Sequence, residues 1–156
     1  MSDLITRNGG QMSSGNFIRL IKCALTDGII SGCTITSSGT GITIAAGYII
    51  AGGALVEISA TTLTASTAGE VVLKIDKSEE GTATVSVRAV TTLTQQDISG
   101  AGTVYEVQLA TFGFTGGAVS GLTRKIGNAV PRRSASNIYV QQSAPSNPST
   151  GDLWFW

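Results

Sequence analysis

Residues 70–90 read EVVLKIDKSEEGTATVSVRAV, and this stretch decides the fold. In its first half Val71, Leu73 and Ile75 recur at every second position and are predicted to point inward, with Lys74 outward. The SEEG sequence at 78–81 predicts a hairpin turn, because short polar residues followed by glycine suit a tight reversal. Residues 82–90 return with small apolar residues alternating against Thr, Ser and Arg. A period of two on both sides of a turn predicts an antiparallel β-hairpin.

Short strands and turns continue on both sides of this hairpin. Further strands are predicted at 29–36, 42–44, 48–50, 55–58, 104–112 and 122–126. Gly52-Gly53 predicts a tight turn between two of them, and residues 91–102 read as a loop with a short helical turn at 95–97. Short strands about ten residues apart predict a mainly β fold, either a small antiparallel sandwich or a barrel.

One helix is predicted, at residues 11–25. Ser13 or Ser14 would cap its start, and Gly28 would end it in the left-handed conformation. Its apolar face follows a period of 3.6 residues and consists of Phe17, Ile18, Leu20 and Ile21. We expect this face to pack on the β core or to form a contact between copies in a trimer, with too few basic residues opposite it to favour membrane binding.

Composition excludes several classes of protein. Among 156 residues there are 20 Gly, 20 Thr and 17 Ser, with ten basic residues against ten acidic ones and no histidine. Zero net charge argues against a nucleic-acid binder, and 42% hydrophobic residues argue against a disordered chain. The lack of histidine removes His-based catalysis and His-ligated metals. The apolar run at 42–58 is too short and too glycine-rich for membrane insertion, and the first residues lack the apolar segment of a secretory signal.

The composition shifts along the chain and predicts three regions. Residues 1–27 form an N-terminal arm and helix, residues 28–127 a β domain, and residues 128–156 a linker and an aromatic tail. Two cysteines, Cys23 and Cys33, are too few for a disulfide scaffold, and we expect small buried thiols, with a disulfide between them as the alternative.

No catalytic, cofactor or metal site is predicted. A glycosidase needs two carboxylates converging in a cleft, and nothing in the sequence brings any two acids together. Glu79 and Glu80 read as a solvated hairpin tip, and no serine or cysteine lies in a nucleophile motif. The scattered acids considered are Glu57, Glu70, Glu106 and Asp152.

Two sequence features remain as candidate contact sites. A basic cluster consists of Arg124, Lys125, Arg132 and Arg133. It reads as a solvated linker, with an acidic neighbouring subunit and the phosphates of lipid or polysaccharide as alternatives. The aromatic tail is predicted to dock within or between subunits, because burying a large aromatic side chain contributes about 2–3 kcal/mol. Its docking residues are Tyr139, Leu153, Trp154, Phe155 and Trp156; sugar stacking on Trp154 is the alternative.

Two sets of motifs resemble phage structural proteins. DGIISG at 27–32, ITIAAGYIIAG at 42–52 and EVVLKID at 70–76 resemble the small β module of tailed-phage baseplate and tail-fibre proteins. IYVQ at 138–141 and GDLW at 151–154 are similar to a C-terminal element of phage minor structural proteins, with Tyr139 where tryptophan is usual. The resemblance carries no catalytic residues. It implies a structural role in a virion tail, usually as a homotrimer, with host recognition nearby.

The sequence therefore favours a non-enzymatic structural component of a phage tail tip, baseplate or tail fibre. Its expected partners are other tail proteins, further copies of itself and, where it also contributes to attachment, a host surface glycan; no nucleic acid, membrane insertion or cofactor is expected. Its expected location is the virion tail, assembled in the host cytoplasm. The alternative is a carbohydrate-binding receptor-recognition protein, and a glycan hydrolase is a remote one.

Overall fold

The computed structural model describes residues 4–5, 11–12, 14–78, 82–132, 138–140 and 153–155. Over these residues the chain is mainly β, as predicted, with one helix, α1 (Ser14–Ala24). The first strands are β1 (Leu4–Ile5), β2 (Gln11–Met12), β3 (Gly28–Gly32), β4 (Ile35–Ser38), β5 (Gly41–Ile44), β6 (Gly47–Ala51) and β7 (Ala54–Ile58). The remaining strands are β8 (Thr61–Thr64), β9 (Gly69–Asp76), β10 (Thr82–Arg88), β11 (Val104–Thr115), β12 (Ala118–Arg124), β13 (Ile138–Val140) and β14 (Leu153–Phe155).

Three antiparallel sheets form the body of the fold. The largest has the order β10-β9-β11-β12, and two three-stranded sheets have the orders β3-β6-β7 and β4-β5-β8. The predicted hairpin is confirmed, since β9 and β10 pair from Asp76↔Thr82 to Glu70↔Arg88. The amide of Val119 in β12 donates to the Gly39 carbonyl oxygen after β4 (2.8 Å), which joins the large sheet to the β4-β5-β8 sheet.

The inward faces of all three sheets meet in one core, as in a small β-sandwich. Ile44 of β5, Ile49 of β6 and Leu73 of β9 are each fully buried in the same apolar cluster. Leu109 of β11 also lies in it, where β11 carries a bulge between Gln108 and Ala110 against β9. The predicted inward residues of β9 are confirmed as part of this core.

The turn between β6 and β7 is confirmed, and packing explains its two glycines. Gly52 and Gly53 have φ angles of 57° and 86°, as a two-residue hairpin turn requires. A side chain at Gly52 would press on the Tyr105 ring, and one at Gly53 would overlap the Ile18 carbonyl oxygen of α1. The turn is therefore the point where α1 and β11 both approach the β3-β6-β7 sheet.

The predictions around the helix were wrong at both ends. The helix begins at Ser14 rather than residue 11, because Gln11–Met12 pairs with Leu4–Ile5 as a strand. Gly28 is not a left-handed stop. It begins β3, where a side chain would collide with the backbone of Asn128 and Ala129. Close approach of two chain segments, rather than a positive φ, requires glycine there.

Two further expectations were corrected. Residues 95–97 form no helical turn; instead Gln95 pairs with Tyr105 in an antiparallel bridge, and the amide of Gln96 donates to the Val104 carbonyl oxygen (3.0 Å). Cys33 is buried as expected, but Cys23 is exposed on α1, and both thiols are free. Burial raises the pKa of the Cys33 thiol.

Candidate functional site

A buried charged cluster lies on the face of the large sheet opposite the core. Residues directly across from each other in neighbouring strands share a face, which places Arg88 of β10 beside Glu70 of β9. Glu106 of β11 lies on the same face, opposite Lys74 of β9. Nothing in the sequence brings these two acids together; the sheet order does, because it places β9 between β10 and β11 and lets one arginine reach both carboxylates.

One guanidinium pairs with both carboxylates in this Arg88 cluster (Glu70, Arg88, Glu106 and Gln108). Arg88 Nε donates to Glu70 Oε1 at 2.9 Å. Its Nη1 and Nη2 donate to the two oxygens of Glu106 at 2.8 and 3.2 Å, a bidentate pair. The Gln108 side-chain amide donates to the other oxygen of Glu70. The Glu70 side chain is 0% exposed and that of Glu106 8%, against 29% for Arg88.

The same carboxylates hold the connection that follows β10. This connection, residues 89–96, is called the crossover below, because it passes from β10 to the far edge of β11. The amide of Thr91 donates to Glu70 Oε1 (3.2 Å) and the amide of Thr94 to Glu106 Oε2 (2.8 Å). At its far end the Glu106 amide donates to the Thr94 carbonyl oxygen (2.7 Å). The crossover is therefore fastened at both ends by the cluster.

The hydrogen bonds decide the protonation state of the cluster. Burial alone would raise the pKa of Glu70, but donors from Gln108, Arg88 and the Thr91 amide together hold it below its ordinary value. The hydrogen bonds from Arg88 lower the pKa of Glu106 against the effect of burial, with help from the Thr94 amide. Pairing with Glu106 raises the pKa of Arg88. All three side chains are consequently charged near neutral pH.

We expect acid to destabilise the fold as pH falls below about 4.5, the ordinary glutamate pKa. Because the pKa values of Glu70 and Glu106 are lowered on folding, the unfolded chain takes up protons at higher pH than the folded one. Their stabilisation is therefore complete above the ordinary pKa and is lost as pH falls through the lowered values. Urea unfolding between pH 7 and pH 3 measures it.

The matched protein for this measurement is Glu106→Gln, in which one of the two carboxylates no longer titrates. Asp76, whose pKa the hydrogen bonds from Lys74 and Ser78 lower to about 2, titrates in both proteins. The difference between the two pH profiles therefore reports Glu106 together with its effect on Glu70 through the shared Arg88. We expect the variant to be less stable at pH 7 and to lose less stability in acid; an acid slope equal to that of the wild type would contradict the assignment.

A second polar contact joins the helix end to two sheets. Asp27, between α1 and β3, accepts a hydrogen bond from the Gly52 amide (3.0 Å) and one from the Tyr105 hydroxyl (2.7 Å). We call these three residues the Asp27 junction. Burial and the neighbouring Asp27 carboxylate raise the pKa of Tyr105. Sequence reasoning had singled out Asp27-Gly28 and Gly52 as motif residues, but it gave no sign that Tyr105 would join them.

The four helix residues predicted to pack differ in how far they are buried. Ile18 contacts the core cluster, Phe17 and Ile21 are half-buried, and Leu20 is 52% exposed. On the polar side Arg19 Nε donates to Ser99 Oγ (3.3 Å), and Lys22 pairs with Asp97 at 3.4 Å.

Two residues of the predicted basic cluster form hydrogen bonds with the rest of the fold. Arg124 donates to the Ile126 carbonyl oxygen (2.6 Å) and to Asn128 Oδ1 (2.9 Å), and Arg132 donates to the Leu25 carbonyl oxygen (3.0 Å). Lys125 is exposed. Arg133 lies outside the described residues.

The aromatic tail is described only through two short strands. β13 and β14 pair in parallel, with Tyr139 opposite Trp154 and Val140 opposite Phe155. The side chains of Tyr139, Leu153, Trp154 and Phe155, and all of Trp156, lie outside what the structure describes. Docking of the tail therefore stays a prediction.

A further cavity is found in the described part of the chain. An open cleft of about 230 Å³ lies between the end of β7 and β10, lined by Glu57, Ile58, Ser59, Thr61, Ala83 and Val85. Among the described residues, no group of three or more Cys, Asp or Glu side chains is arranged to hold a metal ion. Over the same residues no helix has the length and apolar character needed to cross a membrane.

Comparison with known proteins adds no family to these observations. No protein-family model matches the chain, and a search of curated proteins finds no match.

Proposed function

We propose that this chain is a structural protein of a bacteriophage tail tip, baseplate or tail fibre. It contributes to assembly through contacts with other tail proteins and with further copies of itself, as a homotrimer. It is incorporated into the virion tail in the host cytoplasm, and it performs no catalysis of its own.

The Asp27 junction is the observation that carries this proposal. The motifs that resemble the phage module are separated in sequence, yet Asp27 of the first motif directly binds the Gly52 amide of the second. Gly47 of the second motif packs so closely on Ser31 of the first that any side chain there would overlap its carbonyl oxygen. The motif residues thus act together as a folding signature, which supports the resemblance as one of fold and structural role.

The chemistry of the Arg88 cluster agrees with a structural role. Two buried carboxylates near one another could in principle work as an acid and a base, but that needs one of them to hold a proton near neutral pH. Here both pKa values are lowered, and both side chains are occupied by Arg88 and by the amides of the crossover. The polar groups of the cluster are thus used to hold the crossover in place.

Immunogold electron microscopy of purified tailed particles tests the proposal. An antibody raised against the recombinant chain is applied to virions from a lysate in which this sequence is expressed. We expect label at the distal end of the tail, and its loss when the antibody is first absorbed with the recombinant chain. Antigen confined to the soluble fraction of the lysate, with unlabelled particles, would refute the proposal.

A further inference from the structure

The apolar residues of α1 are divided between two sides of the helix. Ile18 contacts the core cluster, and its carbonyl group lies so close to Gly53 that a side chain there would overlap it. Successive residues of a helix are turned by about 100°, so Leu20 points nearly opposite to Ile18. Leu20 is 52% exposed, and Ala24, one turn later, is also exposed. One side of α1 therefore packs on the fold, while the other presents apolar residues to solvent.

The solvent-facing side, called the uncovered stripe below, consists of Phe17, Leu20 and Ala24. Spacings of three and four residues place these side chains on one face, and Phe17, at the border with the packed side, is half-buried. The basic residues of the helix point elsewhere, since Arg19 and Lys22 are engaged by residues 97–99. The uncovered stripe is thus apolar and carries no charge of its own, which suits an apolar partner.

The chain leaves the large described part of the fold at this end of the helix. The Arg132 amide donates to the Ala24 carbonyl oxygen (2.8 Å), and Arg132 Nε donates to that of Leu25 (3.0 Å). Residues 130–132 run antiparallel to residues 24–26. Beyond Arg132 the chain therefore continues past the end of α1 and away from β3, on the way to the aromatic tail.

The strands of the aromatic tail are within reach of the uncovered stripe. β13 begins at Ile138, and the residues from Arg132 to that point span at most about 20 Å when fully extended. Leu20 lies only about 6 Å from Ala24 along the helix axis. A tethered segment has an effective concentration in the millimolar range at a site that it can reach. Binding within the chain is therefore favoured over binding to a second copy.

The composition and pairing of the two tail strands call for such a surface. β13 and β14 consist wholly of apolar and aromatic residues, IYV and LWF, and among the described strands they pair only with each other. Two strands alone are at best marginally stable in water, and packing against a helix is one way to stabilise them. In the part of the chain that the structure describes, α1 is the one helix, and its uncovered stripe lies where the chain leads into the tail.

We infer that the strand pair β13-β14 packs on the uncovered stripe of α1 in the same chain. The inference concerns the fold of a single copy and does not rest on the virion role proposed above. It chooses docking within the chain over docking between subunits, and it names the surface that receives the tail. It also removes α1 from the surfaces that are open to contacts between copies.

Tryptophan fluorescence tests the inference, because the two tryptophans of the chain, Trp154 and Trp156, both lie in the tail. We expect the native chain to emit at shorter wavelength than the urea-unfolded chain. Leu20→Glu and, as a second variant, Ala24→Lys should move the emission to longer wavelength, because a charge in the stripe opposes burial under apolar strands. Leu55→Glu is the matched control, since Leu55 is 56% exposed but lies on β7; it should leave the emission unchanged. Circular dichroism and the urea midpoint establish that each variant is folded.

A label on α1 distinguishes docking within the chain from docking between copies. Cys23 is exposed near Leu20, whereas Cys33 is buried, so a thiol-reactive nitroxide, which quenches tryptophan at close range, labels Cys23 selectively. We expect quenching in the native chain that is independent of protein concentration and absent from Leu20→Glu. A labelled chain carrying Trp154→Phe and Trp156→Phe, mixed with the unlabelled wild type, should produce no quenching.

Four results would overturn the inference. They are native emission that matches the unfolded chain, a labelled native chain without quenching, a shift in Leu55→Glu as large as that in Leu20→Glu, and quenching in the mixture, which would place the tail on another copy. Immunogold labelling of virions is independent of all four, so a failure here and a failure of the proposed function are told apart.

Discussion

Replacing Arg88 with methionine is expected to lower the free energy of unfolding by about 3–5 kcal/mol. Removing one partner of a buried ion pair leaves the other charge without compensation in a medium that solvates it poorly. Here one substitution removes the cation that donates hydrogen bonds to both Glu70 and Glu106, while the charge of Lys74, which lies opposite Glu106, remains. Methionine retains most of the apolar stem of arginine, so lost packing contributes little.

Urea unfolding at pH 7 measures the loss, and Lys22→Met provides the control. Lys22 also pairs with a carboxylate, that of Asp97, but both side chains are largely exposed, at 42% and 61%. Exposed pairs of this kind contribute between zero and about 1 kcal/mol. A loss in Arg88→Met no larger than that in Lys22→Met would show that the cluster does not stabilise the fold.

The pH dependence of the stability loss distinguishes an uncompensated buried charge from lost packing. Without Arg88 the buried carboxylates should be easier to protonate, so the deficit of the variant should shrink between pH 7 and pH 4. Adding Glu70→Gln and Glu106→Gln to Arg88→Met should recover part of the loss at pH 7, because no charge then remains to be solvated. A deficit that is independent of pH and of these changes would assign the effect to packing alone.

Half of the Arg88 cluster could be read from the sequence and the other half could not. Once Asp76 and Thr82 are taken as the ends of the two predicted strands, their pairing fixes every other pair by counting outward, and Arg88 falls opposite Glu70. Glu106 belongs to a strand whose register with β9 depends on the crossover and on a bulge after Gln108. Local alternation carries no information about either, so the second carboxylate could not be placed.

The alternation in β9 also led to a wrong expectation about its outward face. Residues of the outward face, such as Lys74, are expected to meet solvent, yet Glu70 and Val72 on that face are 0% and 1% exposed. The two fastened ends of the crossover hold it against this side of the sheet. Burial of a strand's second face is a property of a distant segment, whereas the predicted inner face was correct because it depends only on the strand itself.

Glycines show the same division between local and tertiary causes. The sequence predicted turns at glycines, and at Gly52-Gly53 the turn and its positive φ angles are confirmed. It could not distinguish a glycine required by its own φ from one required by a neighbouring chain, as at Gly28. Gly32 combines both causes, because its φ is 62° and a side chain there would overlap the Ala46 carbonyl oxygen.

Gly32→Ala is therefore expected to destabilise the fold by about 2–5 kcal/mol. An alanine in the left-handed conformation costs about 1–2 kcal/mol, and forcing an extra methyl group into a packed site costs about 1–3 kcal/mol more. The site cannot relax cheaply. The Ala46 carbonyl oxygen that the methyl would displace also accepts a hydrogen bond from the Cys33 amide (3.2 Å), and Gly47 Cα lies 2.9 Å from the new atom on the same side.

Gly116→Ala is the matched control, because Gly116 has nearly the same φ, 61°, but has open space where the methyl would lie. Both substitutions restrict the unfolded chain equally, so that effect cancels when the two are compared. The conformational cost is also shared, and the difference in free energy of unfolding, measured with urea, reports the collision alone. We expect Gly32→Ala to be the more destabilising by about 1–3 kcal/mol. Equal losses would mean that the β3–β6 contact gives way to a methyl group, and that Gly32 is required only for its backbone conformation.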